Sequence, residues 1–291
     1  MSGSSRIDVN CQPFIPKQDL VYDWLDHHDI SWCVYHEGMP FFAMMPEWIP
    51  TILDGDRRFR RFTLLEKDLQ EGLPSELPKV FFMEPSYTDA PHAGIVTSDD
   101  HAPSGARGGQ EFLLKVYRAF SDKNPGLWRN TVMIVTYDEH GGFFDHVPPP
   151  AIRTLPPPGV DYRPFESLGV RVPAFVLTPF VKPKTVFPGL LDHTSILKFI
   201  SQVFADGKYS REVDERLVGS VFDVLNSSGS ADSAPVPPNL VDYHAAPVGY
   251  VPGKDPHNEI AHCFKNALDK MRNHSAKQTE TKLGDVVGPF L

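Results

Sequence analysis

The stretch Val135–Pro150, VTYDEHGGFFDHVPPP, decides how the rest of the chain is read. It continues the apolar run TVMIV and closes in three prolines, with Asp138, Glu139, Asp145, His140 and His146 set around the pair Gly141–Gly142. A continuous apolar run of this length predicts a buried strand over Thr131–Glu139. Successive residues of a strand point to opposite faces, so adjacent carboxylates share one site only where the backbone turns. Gly141 and Gly142 supply that turn. Two carboxylates held together repel and raise each other's pKa unless a cation lies between them, which makes Asp138 and Glu139 candidate ligands of a divalent metal. The plainer reading of Asp-Glu alone is a solvated acidic turn. The dense continuation through His140, Asp145 and His146 favours the metal, and those three, with Asp99, are candidates to surround its ligands.

Working outward, Ile30–Gly38 (ISWCVYHEG), Lys79–Glu84 (KVFFME) and Gly169–Pro179 (GVRVPAFVLTP) read as further strands. Asp19–His28, Gly108–Ser121 and His193–Ala205 carry apolar residues at helical spacing, with Asp19 a candidate cap for the first. Phe41–Glu71 reads as an irregular turn followed by a helix. The alternation predicts an α/β fold with a mostly parallel sheet covered by helices on both faces. In such sheets ligands sit beyond the carboxyl ends of the strands. The polar clusters, Glu84 with the loop behind it, Asp138–Glu139, and the segment after Pro179, are therefore expected to meet on one edge.

Two of those clusters hold further candidates. In Ser98–Pro103 (SDDHAP), Asp99, Asp100 and His101 are residue types that serve metal or phosphate sites, and His101 can shuttle protons near neutral pH; the plainer alternative is an Asx turn with a solvated histidine. In Leu190–Phe199 (LLDHTSILKF), His193 opens a helix, where free N–H groups and the dipole favour anions. Its alternative is a local hydrogen bond, with Asp192 or Thr194 capping the helix. His27, His28, His36, His244, His257, His262 and His274 read as surface residues.

Composition bounds the function. The chain has 291 residues, 41% apolar and 22% charged, a globular composition. Its 28 basic and 37 acidic residues give a net charge of −9, which argues against non-specific nucleic-acid binding. No window approaches the ~18 apolar residues of a transmembrane helix, and the first residues show no signal peptide. Cys11, Cys33 and Cys263 form neither a disulfide framework nor a zinc knuckle, and Cys33 reads as a small buried apolar residue. The 29 prolines cluster in rigid loops rather than a low-complexity tract. After about Asn226 the composition becomes that of a linker followed by a terminal helix, so residues 1–225 are expected to form the core and 226–291 a tail.

The succession SYTDAPH, DDHAPSG, TYDEHGGFFDHVPPP, LGVRVPAFVLTPFV and LDHTSILKFI resembles the bacterial phosphoesterase family of phosphatidylcholine-type phospholipases C and related acid phosphatases, over roughly Asp8–Asn226. The resemblance implies an alkaline-phosphatase-like α/β/α sandwich and metal-assisted hydrolysis of phosphate esters, phospholipid head groups foremost, through a covalent phospho-enzyme. Asp138 and Glu139 then match metal ligands, and His193 and His101, with Asp100 or Asp99, match the phosphate-facing or general-acid shell. Oxygen ligands favour Ca²⁺, Mg²⁺ or Mn²⁺, with Zn²⁺ or Fe left open by the histidines. The family also implies export to the periplasm or medium. Its members begin with a Glu-Asn-Arg-Ser-Phe-Asp-like segment followed by a Ser or Thr nucleophile. No such stretch occurs here, so the chain reads as the carboxyl-terminal portion of the enzyme, its nucleophile is unknown, and its activity alone is in question. Two rivals stand beside this reading: a non-catalytic remnant that binds metal or phosphate weakly, and a metallohydrolase that uses water directly.

Overall fold

The computed structural model describes residues 18–45, 47–72, 76–87, 97–101, 106–122, 124–152, 159 and 165–227. The expected terminal helix, His244, His257, His262, His274, Cys11 and Cys263 lie outside these. The described residues fall into two compact units, one of residues 32–122 and one of residues 18–31 with 124–227.

The first unit is built on a parallel sheet in the order β2-β1-β3, where β1 is Trp32–His36, β2 Phe59–Arg61 and β3 Val80–Glu84. Every residue of β1 is buried, because it is the central strand and both its edges are paired. Trp32 anchors an aromatic cluster with Phe42, Trp48, Phe59 and Phe82. The Arg58 guanidinium lies 4.7 Å from the Trp32 ring and is forked onto Asp56. The described α-helices of this unit are α2 (Ile49–Leu53), α3 (Leu65–Glu71) and α4 (Arg107–Ser121). Helix α4 buries Phe112, Val116 and Phe120 along one face. Strand β2 is a finding beyond the sequence reading. Its FRR carries no apolar run, and it is held by pairing with β1 and by Arg60, whose guanidinium grips Asp68 of α3 in two bonds.

The second unit contains an antiparallel pair, β4 (Met133–Thr136) with β5 (Ala174–Leu177). Around it lie α1 (Val21–His27), α5 (Pro125–Trp128), α6 (Thr194–Phe204), α7 (Arg211–Asp214) and α8 (Val221–Ser227). Helix α6 buries Leu197, Phe199 and Ile200, and Trp24 of α1 stacks on Tyr209 at 5.2 Å. The cap of α1 is not Asp19: the Leu20 N–H donates to Asp23 Oδ2 at 2.8 Å.

The α/β class and the parallel arrangement are as expected for β1, β2 and β3. The expectation of one continuous sheet needs correction, because among the described residues β3 and β4 belong to different sheets. The burial of the later strands needs it too. All of β4 is half-exposed and Phe175 of β5 is 53% exposed, since each strand of the pair has a described neighbour on one side only.

Candidate phosphoesterase site

In the second unit, β4 ends at Thr136 and the chain turns at once. Gly141 and Gly142 adopt φ of 62° and 76°, the left-handed conformation that the sequence demanded of them. Asp138 is exposed, and its Oδ1 accepts the Glu139 N–H at 2.9 Å. Glu139 Oε2 accepts the Gly141 N–H at 2.7 Å and lies 3.5 Å from His140 Nδ1. Both acids are therefore presented by the turn. Among the described residues no group of three or more His, Cys, Asp or Glu is arranged to hold a metal. The fit to a divalent cation thus rests on two neighbouring carboxylates.

His193 is brought to this turn. Its Nε2 lies 2.7 Å from the carbonyl oxygen of Tyr137, the residue before Asp138. It occupies the cap position of α6, but the capping is done by Asp192, whose Oδ1 accepts Thr194 N–H at 2.8 Å and Thr194 Oγ1–H at 2.6 Å. Asp192 is in turn paired with Arg216. The helix-capping role that the sequence offered for Asp192 is thus present, and it leaves the His193 imidazole to reach the acidic turn.

Asp145 and His146 sit differently. Asp145 is gripped by Arg171 in two bonds of 2.7 and 2.9 Å and accepts the Val147 N–H, and the guanidinium holds its carboxyl far below the ordinary carboxylate range. Its charge is already matched. His146 is 84% exposed, 3.6 Å from the same carboxylate.

In the first unit, Thr97–His101 packs on the first turn of α4. A Cβ on Gly108 would lie 2.0 Å from the Thr97 carbonyl oxygen, and one on Gly109 2.2 Å from Asp100 Oδ1. Those two glycines are what let the segment approach, and they set the Asp100 carboxylate against a helix N-terminus, where the dipole favours it. Asp99 Oδ1 accepts the His101 N–H at 2.5 Å, the Asx turn that the sequence allowed.

Beside that segment is a buried polar cluster of which the sequence reading singled out only Glu84. Ser98 Oγ–H donates to Glu37 Oε2 at 2.5 Å and accepts the Ser86 N–H at 2.8 Å. This ties the Asp99–His101 segment to the ends of β1 and β3. Glu84 is buried and accepts the Phe41 N–H at 2.8 Å; burial pushes its carboxyl up to about 7. His36, read as a surface residue, is buried, with Nδ1 2.7 Å from the Gly38 carbonyl oxygen. As the last residue of β1, it shares the burial that the flanking strands give that strand. Cys33 is buried as expected, and burial pushes its thiol up to about 12.

Comparison with known proteins matches residues 8–205 to the Phosphoesterase family. Non-specific phospholipase C6 of Arabidopsis thaliana is 32% identical over 58% of this chain and 32% of its own length. Phospholipase C A of Mycobacterium tuberculosis is 33% identical over 66% of this chain and 40% of its own. Non-hemolytic phospholipase C of Burkholderia pseudomallei is 30% identical over 62% and 27%. The chain spans about a third of the length of these curated relatives, which come from plants as well as bacteria. The strand-end turn with its paired acids, the histidine bonded to it and a match over more than half of the residues lead to one assignment: this chain belongs to the Phosphoesterase family.

Proposed function

We propose that the residues at the end of β4 serve a metal-dependent phosphoric ester hydrolase of phospholipase C type. The observation that carries the reading is the juxtaposition of Asp138 and Glu139 on one turn with His193, bonded to the carbonyl immediately before them. Asp138 and Glu139 hold the cation through hard oxygens, which favours Ca²⁺, Mg²⁺ or Mn²⁺. When bound, such a cation stabilises charge developing on a phosphoryl group and lowers the pKa of the attacking group. His193 contacts phosphoryl oxygens or gives a proton to the leaving oxygen; in the first unit, the family likeness offers the same role to His101, with Asp100 beside it. Glu139 also steadies the turn through Gly141, and His140 lies within reach of it. The nucleophile, a Ser or Thr side chain or water, is not assigned to a residue. The printed names of the relatives point to phospholipids as substrates, and soluble phosphate monoesters of the acid-phosphatase kind are the second class. For the complete enzyme, the family resemblance makes export to the periplasm or medium the proposed location.

The test is release of p-nitrophenol from its phosphate ester, and of head group from phosphatidylcholine vesicles, by the 291-residue protein with and without Mn²⁺ or Ca²⁺. Metal-dependent turnover that disappears in Asp138→Asn supports hydrolysis. Binding of inorganic phosphate without turnover supports a second reading, in which the chain binds phosphate or metal and does no chemistry.

A further inference from the structure

We infer that Asp192 and Arg216 are positioning residues that fix the His193 imidazole, so that Nδ1 is the atom that meets a phosphoryl oxygen. The inference rests on the phosphate-ester reading above and goes beyond it by naming the working atom and the residues that aim it.

A carbonyl oxygen only accepts hydrogen bonds. At 2.7 Å from Tyr137 O, the Nε2 of His193 must carry the proton. In the neutral ring Nδ1 is then a lone pair, and in the charged ring a donor; in both states it is the atom left to act. Among the described residues Nδ1 has no hydrogen-bond partner. The neighbours of His193 in the chain are locked on both sides. The Asp192 N–H donates to Ser195 Oγ at 3.0 Å, and Thr194 is held through both its N–H and its hydroxyl by Asp192 Oδ1. The other oxygen of Asp192 meets Arg216 Nε at 2.5 Å, with the two side chains 10% and 17% exposed. Arg216 is itself anchored to α6, because Lys198 Nζ donates to the Arg216 and Val218 carbonyls at 2.7 and 3.0 Å. The path Lys198, Arg216, Asp192, His193, Tyr137 thus links the body of α6 to the residue before the paired acids. Removing one partner of a largely buried ion pair leaves the other uncompensated, so the strain falls on the segment that carries His193.

The experiment is imidazole ¹⁵N NMR on the full 291-residue protein. The wild type is expected to show a proton on His193 Nε2 that exchanges slowly and none on Nδ1 of the neutral ring. Arg216→Gln is expected to speed that exchange by about tenfold, the scale of one net hydrogen bond, while the Ile200 and Ser201 amides stay protected. Asp192→Asn keeps an acceptor for Thr194 but breaks the ion pair; it is expected to do the same, and it decides the matter if Arg216→Gln loosens α6. A proton on Nδ1, or unchanged exchange in both variants, overturns the inference. Inorganic phosphate is then added. A shift at Nδ1 supports the assignment, and phosphate that binds, seen as broadening of its phosphorus signal, without moving Nδ1 overturns it. No phosphate binding at all sinks the phosphate-ester reading for this chain and with it Nδ1 as the phosphate-facing atom, while the exchange comparison still judges Asp192 and Arg216.

Discussion

Strands β1 and β4 have similar sequences and different environments. WCVYH and MIVT are both apolar runs that end against polar residues, yet all of β1 is buried and all of β4 is half-exposed. The difference lies in neighbours. β1 has β2 on one side and β3 on the other; among the described residues β4 is paired with β5 alone. An apolar run therefore specifies a strand, while its burial depends on how many other segments come to pair and pack with it. The consequence reaches the chemistry. The end of the buried sheet carries an acid and a histidine withdrawn from water, Glu84 and His36, whereas the end of the half-exposed pair presents Asp138 outward.

The contrast is most easily broken by truncating one aromatic in each region. Trp32 is 3% exposed and touches four other rings, so Trp32→Ala is expected to cost about 3–5 kcal/mol by urea denaturation. Equal losses from Trp32→Ala and Phe175→Ala would remove the distinction between the two sheets.

Next in size is the pH dependence set by Glu84. Its carboxyl, pushed up to about 7 by burial, holds a proton more tightly in the fold than at its ordinary value of 4.5. Stability linked to that proton is fully present below pH 4.5 and is lost as pH rises from there through 7, by roughly 3 kcal/mol at the upper bound. Glu84→Gln is expected to flatten that part of the denaturation profile. A profile unchanged by the substitution would show that the carboxyl is solvated.

Gly108→Ala sharpens the account of the loop. The added Cβ would sit 2.0 Å from the Thr97 carbonyl, so the Thr97–His101 segment has to move off α4, at a cost of about 1–3 kcal/mol. Faster hydrogen exchange at Ser98–His101 is the expected sign, and an unchanged loop would contradict the close approach. Smallest is Phe175→Ala in the exposed pair, expected to change stability by less than about 0.5 kcal/mol.

Much of this was legible in the residues. The long amphipathic helices α4 and α6 and the apolar strands β1, β3, β4 and β5 announce themselves by periodicity. Strand β2 does not, because FRR is specified by pairing with β1 and by the Arg60–Asp68 fork rather than by its own pattern. The strand-end position of Asp138 and Glu139 and the left-handed glycines after them were readable, since adjacent acids past an apolar run need a turn to face one way. The withdrawal of Asp145 onto Arg171, across 26 residues, was not, because a long-range ion pair leaves no local mark. Neither was the burial of His36, which depends on the strands flanking β1.

The central claim, that the Asp138–Glu139 turn is the metal locus, is tested most directly by paramagnetic broadening. Sub-stoichiometric Mn²⁺ is added to the isotope-labelled 291-residue protein, and the loss of each resonance is followed in the wild type and in Asp138→Asn. The account predicts that Asp138, Glu139, Gly141 and His193 broaden first, ahead of acidic turns such as Asp54–Asp56, and that Asp138→Asn abolishes this preference. Broadening spread evenly over the acidic residues, or centred on Glu37 and Glu84, would contradict it.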